Sequence, residues 1–411
     1  MPVHRTRRRV TVRGALALLV GVLVLTACDP PFPSDDDFYD PPDPLPAGAP
    51  GDLVDQRDTR FTLDPVNKEP VPGVSSWDVV YRSTDALGEP TPVTGTVLVP
   101  DDAWDGPGSR PLVSWAVGTR GLGDDCAPSY TLSQGADYEG LFIEAALAKG
   151  WAVAVSDYQG LGTPGIHTYM VGPAQGHAVL DMARAAQNLP EAGLDPSGPV
   201  GLMGYSQGGS GAGWAAELAA SYAPGLNVVG TAAGGVPADL TETAEFLDGS
   251  PFVALALMAA LGLDGAYPEL DLDSYLNARG QELVQTSQDL CLVDVDGFTA
   301  LVDTAFSDID DYTTTNPLDT APWQARLDEI RLGDTAPNAP VYQYHGVVDE
   351  IVPYGQARQL RRDWCDEGAT VTWSTLPGEH VLGMAEGLPL ALAWMEARFA
   401  GLPTWGNCPW F

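Results

Sequence analysis

Short, almost continuously apolar runs recur along this chain and alternate with segments of helical periodicity. Two runs flanking a turn at Gly88, Trp77–Arg82 and Val93–Val99, predict an antiparallel hairpin. The later runs are Leu112–Val117, Trp151–Val155, Val200–Met203, Leu226–Gly230, Val341–Tyr344 and Val371–Ser374. Helical patterns lie between several of them, at Leu141–Lys149, His177–Leu189, Gly208–Tyr222 and Tyr354–Cys365. Because strands buried on both faces have this composition, the order predicts an α/β fold: a mostly parallel central sheet with helices on both faces.

Residues 238–333 break this rhythm, since they contain short helical runs and acidic loops but no convincing strand. Within them, Phe252–Leu263 is apolar nearly all round, so it must be covered by protein or by a bound ligand. We therefore predict an inserted helical cap over the carboxyl edge of the sheet, where α/β proteins bind ligands. A purely structural helical subdomain is the alternative. With residues 238–333 as the insertion, the α/β core of the domain would consist of residues 53–237 and 334–411.

The first 27 residues have the pattern of an export signal. Five arginines precede the apolar run Ala15–Leu25, which is too short to span a bilayer as a mature helix. The run ends in Leu25-Thr26-Ala27-Cys28, which resembles the lipobox of bacterial lipoproteins. We therefore predict a signal peptide over 1–27, lipidation of Cys28, and a protein anchored at the outer face of the membrane or secreted. The alternative is ordinary cleavage beside a chance cysteine, and an arginine cluster at 7–9 weakly indicates twin-arginine export.

Residues 28–52 are rich in proline and aspartate, with eight prolines and six aspartates between Asp29 and Pro50. Because proline restricts φ and like charges repel, this segment is predicted to be an extended spacer. The whole chain is acidic, with a formal net charge of −35. Such a surface repels phosphate, which excludes nucleic acid as a partner, and it is typical of a solvated exterior.

The sequence Gly204-Tyr205-Ser206-Gln207-Gly208 carries the strongest chemical signal. It lies between the predicted strand Val200–Met203 and the predicted helix Gly208–Tyr222, which is the context of the Gly-x-Ser-x-Gly nucleophile elbow. So tight a turn leaves no room for a side chain at 204 or 208, and it exposes the hydroxyl of Ser206. The sequence therefore predicts Ser206 as a nucleophile. The alternative is a glycine-rich turn with an idle serine.

A nucleophilic serine needs a histidine base, and in this arrangement the acid and then the histidine follow the serine. Of the five histidines, only His380 lies far enough downstream, in a predicted loop after Val371–Ser374. Asp349, on a loop after Val341–Tyr344, is the preferred acid, and the adjacent Glu350 is the reserve. His380 would take the proton of the serine, and the acid would orient and stabilise the imidazolium.

Stabilising an oxyanion requires two backbone N–H donors. The first is expected from Gln207, directly after the nucleophile. The second is expected from Gly118-Thr119-Arg120-Gly121, the loop after Leu112–Val117, with Thr119 preferred and Arg120 next.

Together these stretches resemble the secretory lipase family, α/β-hydrolases typified by the fungal lipase A type and shared by many actinobacterial proteins. The matching stretches are Gly118–Ser129, Asp157–Gly162, the elbow, His345–Tyr354 and Gly378–His380, which span nearly the whole mature domain. The resemblance implies an α/β-hydrolase fold with an inserted helical cap and hydrolysis of carboxylesters of the triacylglycerol type. It also implies the triad of Ser206, Asp349 and His380, with no metal and no cofactor. One position departs from the pattern, because many relatives have histidine where Val117 precedes Gly118.

Four cysteines remain if Cys28 carries lipid, an even number in an oxidising compartment. The sequence contains neither a Cys-x-x-Cys pair nor His-Glu-x-x-His, which argues against a zinc site. Arithmetic alone permits three pairings. The family resemblance favours Cys126–Cys291, which would join the cap to the oxyanion loop, and Cys365–Cys408, which would hold the C-terminal tail.

The leading functional prediction is a lipase or esterase that cleaves an ester or lipid through an acyl-enzyme. A serine peptidase of the prolyl-oligopeptidase type would use the same residue order on the same fold, but the β-propeller that such enzymes often carry has no counterpart in the sequence. The third hypothesis is a surface-anchored, non-catalytic binding protein on a hydrolase fold, since a fold does not determine a function. The intact set of Ser206, Asp349 and His380 argues against it.

Overall fold

The computed structural model describes residues 30–410, and the unit that begins at Phe32 is built around a single sheet. In chain order its strands are β1 Leu53–Asp58, β2 Val74–Thr84, β3 Pro90–Pro100, β4 Leu112–Ala116, β5 Ala152–Ser156, β6 Pro199–Tyr205, β7 Asn227–Gly234, β8 Val341–Gly346 and β9 Val371–Leu376. The α-helices are α1 Pro128–Gln134, α2 Gly140–Leu147, α3 Gly172–Asn188, α4 Gln207–Tyr222, α5 Leu240–Leu247, α6 Val253–Ala266, α7 Ala278–Ser287, α8 Val295–Thr304, α9 Ala321–Glu329, α10 Tyr354–Asp366 and α11 His380–Phe399.

The strand order is β1-β2-β3-β5-β4-β6-β7-β8-β9. β1, β2 and β3 pair antiparallel, β3 pairs antiparallel with β5, and every pairing from β5 to β9 is parallel. All residues of β4, β5 and β8 are buried, as their apolar runs predict. The predicted α/β class with a mostly parallel sheet between helices is confirmed. Because parallel strands end at the same edge, the loops after β4, β6 and β8 meet there.

The chain between Gly234 and Val341 contributes helices α5 to α9 and no strand to the described sheet. This helical insertion is joined to the loop after β4 by short β-type pairing. Leu122 N–H donates to the Leu290 carbonyl at 3.1 Å, and Leu292 N–H donates to the Arg120 carbonyl at 2.7 Å. The Cys126–Cys291 disulfide lies between these two bonds. The insertion is thus fastened to the loop that was predicted to supply an oxyanion donor.

Helix α6 contains most of the apolar segment Phe252–Leu263 predicted from the sequence, but only Val253, Gly262 and Leu263 of the helix are fully buried. Its remaining apolar side chains face the cavities described below or are half-exposed. Within residues 30–410, no single helix is long and apolar enough to cross a bilayer. Helix α6 and the adjoining segment Pro268–Tyr275 satisfy length and composition only as a pair bent by 113°.

The prediction of an extended spacer over residues 28–52 is wrong for residues 33–39. These form two one-turn 3-10 helices, Pro33–Asp35 and Asp37–Tyr39, and the Tyr39 side chain is 2 % exposed. Its hydroxyl lies 2.8 Å from Ser129 Oγ. Asp36 forms an ion pair with Arg57 at 2.6 Å. Burial of one aromatic ring and pairing of one aspartate outweigh the extending effect of proline and charge.

The C-terminal tail lies along β9, the edge strand of the sheet. The Cys365–Cys408 disulfide joins it to the last turn of α10. The Asn407 side chain accepts the backbone N–H of Trp373 at 2.8 Å and donates to the carbonyl of the same residue at 2.9 Å. Both disulfides that the resemblance implied are present in the structure.

Candidate active site

The turn between β6 and α4 carries Ser206 in a strained backbone conformation. Its φ is +59°, a value that residues with a side chain rarely adopt. A Cβ at Gly204 would overlap the Gly208 carbonyl, and a Cβ at Gly208 would overlap the Ala116 carbonyl. Ser206 N–H donates to the Gly234 carbonyl of β7 at 2.9 Å. The two glycines are therefore required by close backbone contacts, and the turn holds the serine hydroxyl at the sheet edge.

The structure brings Ser206, His380 and Asp349 together, although they are far apart in sequence. His380 Nδ1 donates to Asp349 Oδ2 at 2.7 Å. Because a carboxylate only accepts, the proton is on Nδ1, and Nε2 can accept from the Ser206 hydroxyl at 2.9 Å. This is the geometry in which a serine proton can pass to an imidazole.

His380 is the first residue of helix α11 and not part of a loop, which corrects the sequence prediction. The Glu379 carboxylate caps this helix by accepting the N–H groups of Val381 and Leu382. The Tyr205 hydroxyl, from β6, donates to the His380 carbonyl at 2.7 Å. The imidazole is therefore placed by a capped helix start that is tied to the strand before the nucleophile.

Asp349 lies in the loop after β8 and is 6 % exposed. Its Oδ1 accepts the N–H groups of Ile351 and Val352 at 3.0 and 2.8 Å. Burial alone would raise the pKa of Asp349, but hydrogen bonds from His345 and His380 outweigh it and hold that pKa well below its usual range. The carboxylate is therefore ionised at neutral pH and can stabilise a charged imidazole.

The reserve acid, Glu350, also touches His380 but at a different atom. Its Oε2 accepts the backbone N–H of His380 at 3.1 Å, whereas Asp349 contacts the ring. His345, which sequence reasoning set aside, lies with Nε2 3.3 Å from Asp349 Oδ2 and 3.0 Å from the Val352 carbonyl. The two carboxylates thus have separate roles: one orients the imidazole and the other supports its backbone.

The loop after β4 is held by a buried polar network that the sequence did not indicate. The Glu139 carboxylate accepts the N–H of Gly118 at 2.8 Å and the indole N–H of Trp115 at 2.5 Å. The Arg120 guanidinium forms a two-bond ion pair with Asp137 and donates to the Gly118 carbonyl. Burying these charges is tolerated because each one is paired and hydrogen-bonded.

This network uses the N–H of Gly118, so that group cannot serve as an oxyanion donor. The N–H groups of Thr119 and Arg120 have no acceptor in the part of the chain that the structure describes, and both residues are buried. The N–H of Gln207 begins helix α4, where the first turn leaves its donors free. The loop and the elbow are adjacent, since a Cβ at Gly208 would lie 2.9 Å from the carbonyl carbon of Val117.

Two apolar cavities lie on either side of helix α6. The smaller, about 40 Å³, opens at the nucleophile and is lined by residues that include Ser206, Gln207, Tyr169, Leu255 and Ile351. The larger, about 100 Å³, lies inside the insertion and is lined by side chains such as Leu257, Leu261, Leu283, Leu301 and Trp323. Ala244 and Ala256 line both cavities. The small alanine side chains are therefore the wall between the two spaces.

Of the other predicted site residues, Cys28 lies outside the described residues.

One residue at the site was missed from the sequence: His167, which was set aside because it precedes the nucleophile. Its ring is buried against the side chain of Gln207, with Nε2 of the two groups 3.2 Å apart. No motif contains His167, and only its place after the glycine-rich stretch Asp157–Gly162 could have drawn attention to it.

Comparison with known proteins places this chain in a family. A model of the secretory lipases matches residues 127–407. A secreted triacylglycerol lipase of Malassezia furfur is 33% identical over 332 residues, which cover 77% of this chain and 84% of that protein. A protein of Mycobacterium tuberculosis described as a probable inactive lipase is 32% identical over 388 residues, which cover 91% of this chain and 84% of that protein.

A solved structure is similar to this chain as well. Candida antarctica lipase A in its closed state superposes with a TM-score of 0.79 at 28% identity, covering 92% of this chain and 88% of that one. The fold described above is thus shared with a related chain over most of its length. On the family match and these similarities, the chain belongs to the secretory lipase family, whose lipase members support a lipase or esterase function.

Proposed function

We propose that this protein is a carboxylester hydrolase that acts through an acyl-enzyme on Ser206. His380 takes the hydroxyl proton as Ser206 Oγ attacks the ester carbonyl, and the carbonyl oxygen becomes an oxyanion. His380 then protonates the departing alcohol as the C–O bond breaks. Water, activated by the same histidine, releases the carboxylic acid and regenerates the serine.

The observation that carries this proposal is the continuous hydrogen-bonded chain from Ser206 Oγ to His380 and Asp349, at 2.9 and 2.7 Å. Asp349 keeps the histidine in the required tautomer and stabilises it when charged. The N–H groups of Gln207 and Thr119 are the proposed oxyanion donors, with Arg120 as the alternative to Thr119. None of these N–H groups has an acceptor among residues 30–410, which leaves them available to an oxyanion.

The cavities support an acyl ester as the substrate. The space at Ser206 is lined mainly by apolar side chains, and the larger one inside the insertion is almost wholly apolar. An acyl chain leaving the ester carbonyl would run along the alanines of α6 toward the larger cavity. The helical insertion would then act as a cap that sets acyl-chain length, and the substrate class would include triacylglycerols.

The decisive experiment compares Ser206→Ala with Ser210→Ala, which changes a buried serine one turn further along α4. Wild-type protein and Ser210→Ala should hydrolyse p-nitrophenyl esters and react with a fluorophosphonate probe. Ser206→Ala should lose labelling and lose activity by about 10⁴- to 10⁶-fold. Activity of Ser206→Ala near that of the wild type would refute the assignment of the nucleophile.

The same assay separates the alternatives. A peptidase would cleave a proline anilide, which a carboxylester hydrolase would leave intact. A non-catalytic protein, such as the name of the Mycobacterium tuberculosis relative suggests for that protein, would neither label nor turn over. Ester hydrolysis without anilide cleavage supports the proposed function.

We also propose that the protein is extracytoplasmic and anchored through a lipid on Cys28. Relatives named as secreted lipases support an extracellular location, and Leu25-Thr26-Ala27-Cys28 supports the anchor. Native protein should partition into the detergent phase of Triton X-114, and Cys28→Ser should move it to the aqueous phase or block its processing. Wild-type protein recovered wholly in the culture medium would contradict the anchor but leave the enzymatic proposal intact.

A further inference from the structure

Residues 157–171, the loop from β5 to α3, carry three aromatic rings beneath the proposed active site. Tyr158, His167 and Tyr169 are 1 %, 1 % and 4 % exposed. The His167 ring lies between the other two, with centroid distances of 6.2 Å to Tyr158 and 6.0 Å to Tyr169. We call these three side chains the ring cluster.

Each member of the ring cluster bonds a different part of the proposed oxyanion hole. The Tyr169 hydroxyl lies 2.9 Å from Thr119 Oγ1, and the Tyr158 hydroxyl donates to the Val117 carbonyl at 3.0 Å. His167 contacts the Gln207 side chain on the other side. One rigid group therefore touches both the loop after β4 and the start of α4, which are brought together only by the fold.

The hydrogen-bond pattern determines the state of His167. Nδ1 lies 3.0 Å from the Gln159 carbonyl, which can only accept, so Nδ1 carries the proton. Nε2 is then an acceptor for the Gln207 amide N–H. Burial lowers the pKa of His167 to about 4, so the ring stays neutral and keeps this pattern at neutral pH.

The backbone of the loop is strained at both ends of the ring cluster. Tyr158 has φ of +69° and Met170 has φ of +64°. Such values are unfavourable for residues with side chains and persist where the surroundings require them, often near functional sites. The two sides of the loop are also in close backbone contact: a Cβ at Gly160 would overlap the Ile166 carbonyl.

We propose that the ring cluster positions the two oxyanion donors relative to each other. His167 acts through the side chain of Gln207, and Tyr169 acts through the hydroxyl of Thr119. This inference rests on the proposed ester hydrolysis, because the donors have a role only if Ser206 attacks a carbonyl and forms an oxyanion. His167 is a positioning residue, and so is Tyr169, although the Tyr169 ring also borders the cavity at Ser206.

The test uses Tyr169→Phe, which removes only the hydroxyl, and His167→Phe, which replaces the imidazole with an apolar ring. The matched control is Tyr81→Phe. Tyr81 is fully buried, and its hydroxyl bonds Ser156 Oγ at 2.8 Å and the Ala178 carbonyl at 3.1 Å. It bonds neither Thr119 nor Gln207, and its one link to the ring cluster among the described hydrogen bonds is through Ser156 Oγ, which accepts the Tyr158 backbone N–H. The control therefore measures the effect of losing a buried tyrosine hydroxyl without altering the donors.

With p-nitrophenyl butyrate, Tyr169→Phe and His167→Phe should each lower kcat by about 10- to 100-fold, less than the loss of a donor itself, with KM changed less than about 3-fold. Affinity for a trifluoromethyl ketone, which forms an oxyanion adduct with serine, should fall in proportion to kcat/KM. Tyr81→Phe should leave all three quantities unchanged, even if it lowers Tm as much as Tyr169→Phe does.

A double variant tests whether Tyr169 acts through the hydroxyl of Thr119. Thr119→Val removes the threonine hydroxyl and keeps its shape and backbone. If Tyr169 acts through that hydroxyl, Tyr169→Phe should change kcat less than about 2-fold in the Thr119→Val protein. Full additivity of the two changes would overturn this route.

The outcomes distinguish this inference from the proposed function. An active wild type in which Tyr169→Phe and His167→Phe behave like Tyr81→Phe would overturn the inference alone. A loss of kcat with unchanged affinity for the ketone would also overturn it. A wild type that neither hydrolyses esters nor reacts with fluorophosphonate would overturn both.

Discussion

The sheet edge that carries Ser206 and the helical insertion that faces it are held in different ways. At the edge, polar groups are buried and joined by hydrogen bonds of 2.5 to 3.1 Å, and glycines allow backbone contacts that no other residue would. In the insertion, helix α6 is apolar except at Asp264, yet mostly half-buried, and it borders two cavities. Directional bonds specify atomic positions, whereas apolar packing specifies only volume. Under the proposed function, the chemistry therefore belongs to the edge and the choice of substrate to the insertion.

The largest expected effect comes from a change at the sheet edge that leaves the insertion intact. Asp349→Asn should lower kcat by about 10⁴-fold, because the amide favours the wrong imidazole tautomer. Glu350→Gln, which changes the neighbouring carboxylate that bonds only the His380 backbone, should lower kcat less than about 10-fold. Both variants should keep the wild-type order of preference among acyl lengths. Equal losses in the two variants would mean that the acid has been assigned wrongly.

The reverse change fills the insertion and leaves the edge intact. Ala256→Phe places a ring in the wall shared by the two cavities. Hydrolysis of p-nitrophenyl palmitate should fall by about 10- to 100-fold, since an unfilled subsite is worth roughly 1–3 kcal/mol. Hydrolysis of the acetate ester in the same variant is the internal control and should change little. A uniform loss across all chain lengths would contradict an acyl path along α6.

The connection between the two regions can also be broken. Replacing both Cys126 and Cys291 by serine opens a loop of sequence separation 165, and the same change at Cys365 and Cys408 opens one of 43. In the chain-entropy treatment both changes lower stability by about 3–5 kcal/mol. Only the first should alter the ratio of palmitate to acetate hydrolysis, by a few fold, because it frees the insertion. The same ratio in both variants would show that this disulfide contributes stability alone.

The smallest expected effect concerns Glu217, a buried carboxylate of helix α4 that bonds helix α10. Burial raises the pKa of Glu217 to about 7, although Trp364 and the Gly333 N–H donate to it. Since the folded state then binds this proton more tightly than the unfolded chain, stability falls as pH rises from about 4.5 to 7. Glu217→Gln should remove at most about 3 kcal/mol of this dependence, visible as a flatter plot of Tm against pH. Glu245→Gln, on the exposed side of α5, should leave the slope unchanged.

The eight predicted strands could be recognised because they are apolar and rich in β-branched residues. β1 was missed because four of its six residues, Leu53–Asp58, are polar and none is fully buried at this edge of the sheet. Helix α11 was hidden by Gly387 and Pro389, which disfavour helices. The structure explains the glycine, since a Cβ there would overlap the Tyr344 ring. This is why His380 was expected in a loop.

The candidate site likewise has residues that the sequence predicts and contacts that it does not. A motif with a local backbone requirement, such as the elbow at Ser206, can be recognised from sequence. Chain order then restricts the choice of His380 and Asp349. The contacts of Glu139 with Gly118, and of His167 with Gln207, join residues from different elements, and no local pattern encodes them. Tyr39 packs against the domain for a similarly non-local reason.

The tail at Asn407 has a consequence for solubility. An uncovered edge strand offers unpaired backbone groups to any other chain, and it is a common starting point for aggregation. Asn407 occupies that position on β9, using its side-chain amide as a substitute for a neighbouring strand's backbone. The Cys365–Cys408 bond keeps it there. Material made in a reducing cytoplasm would therefore present an open edge, and its tendency to self-associate would depend on redox conditions even when the triad is correctly folded.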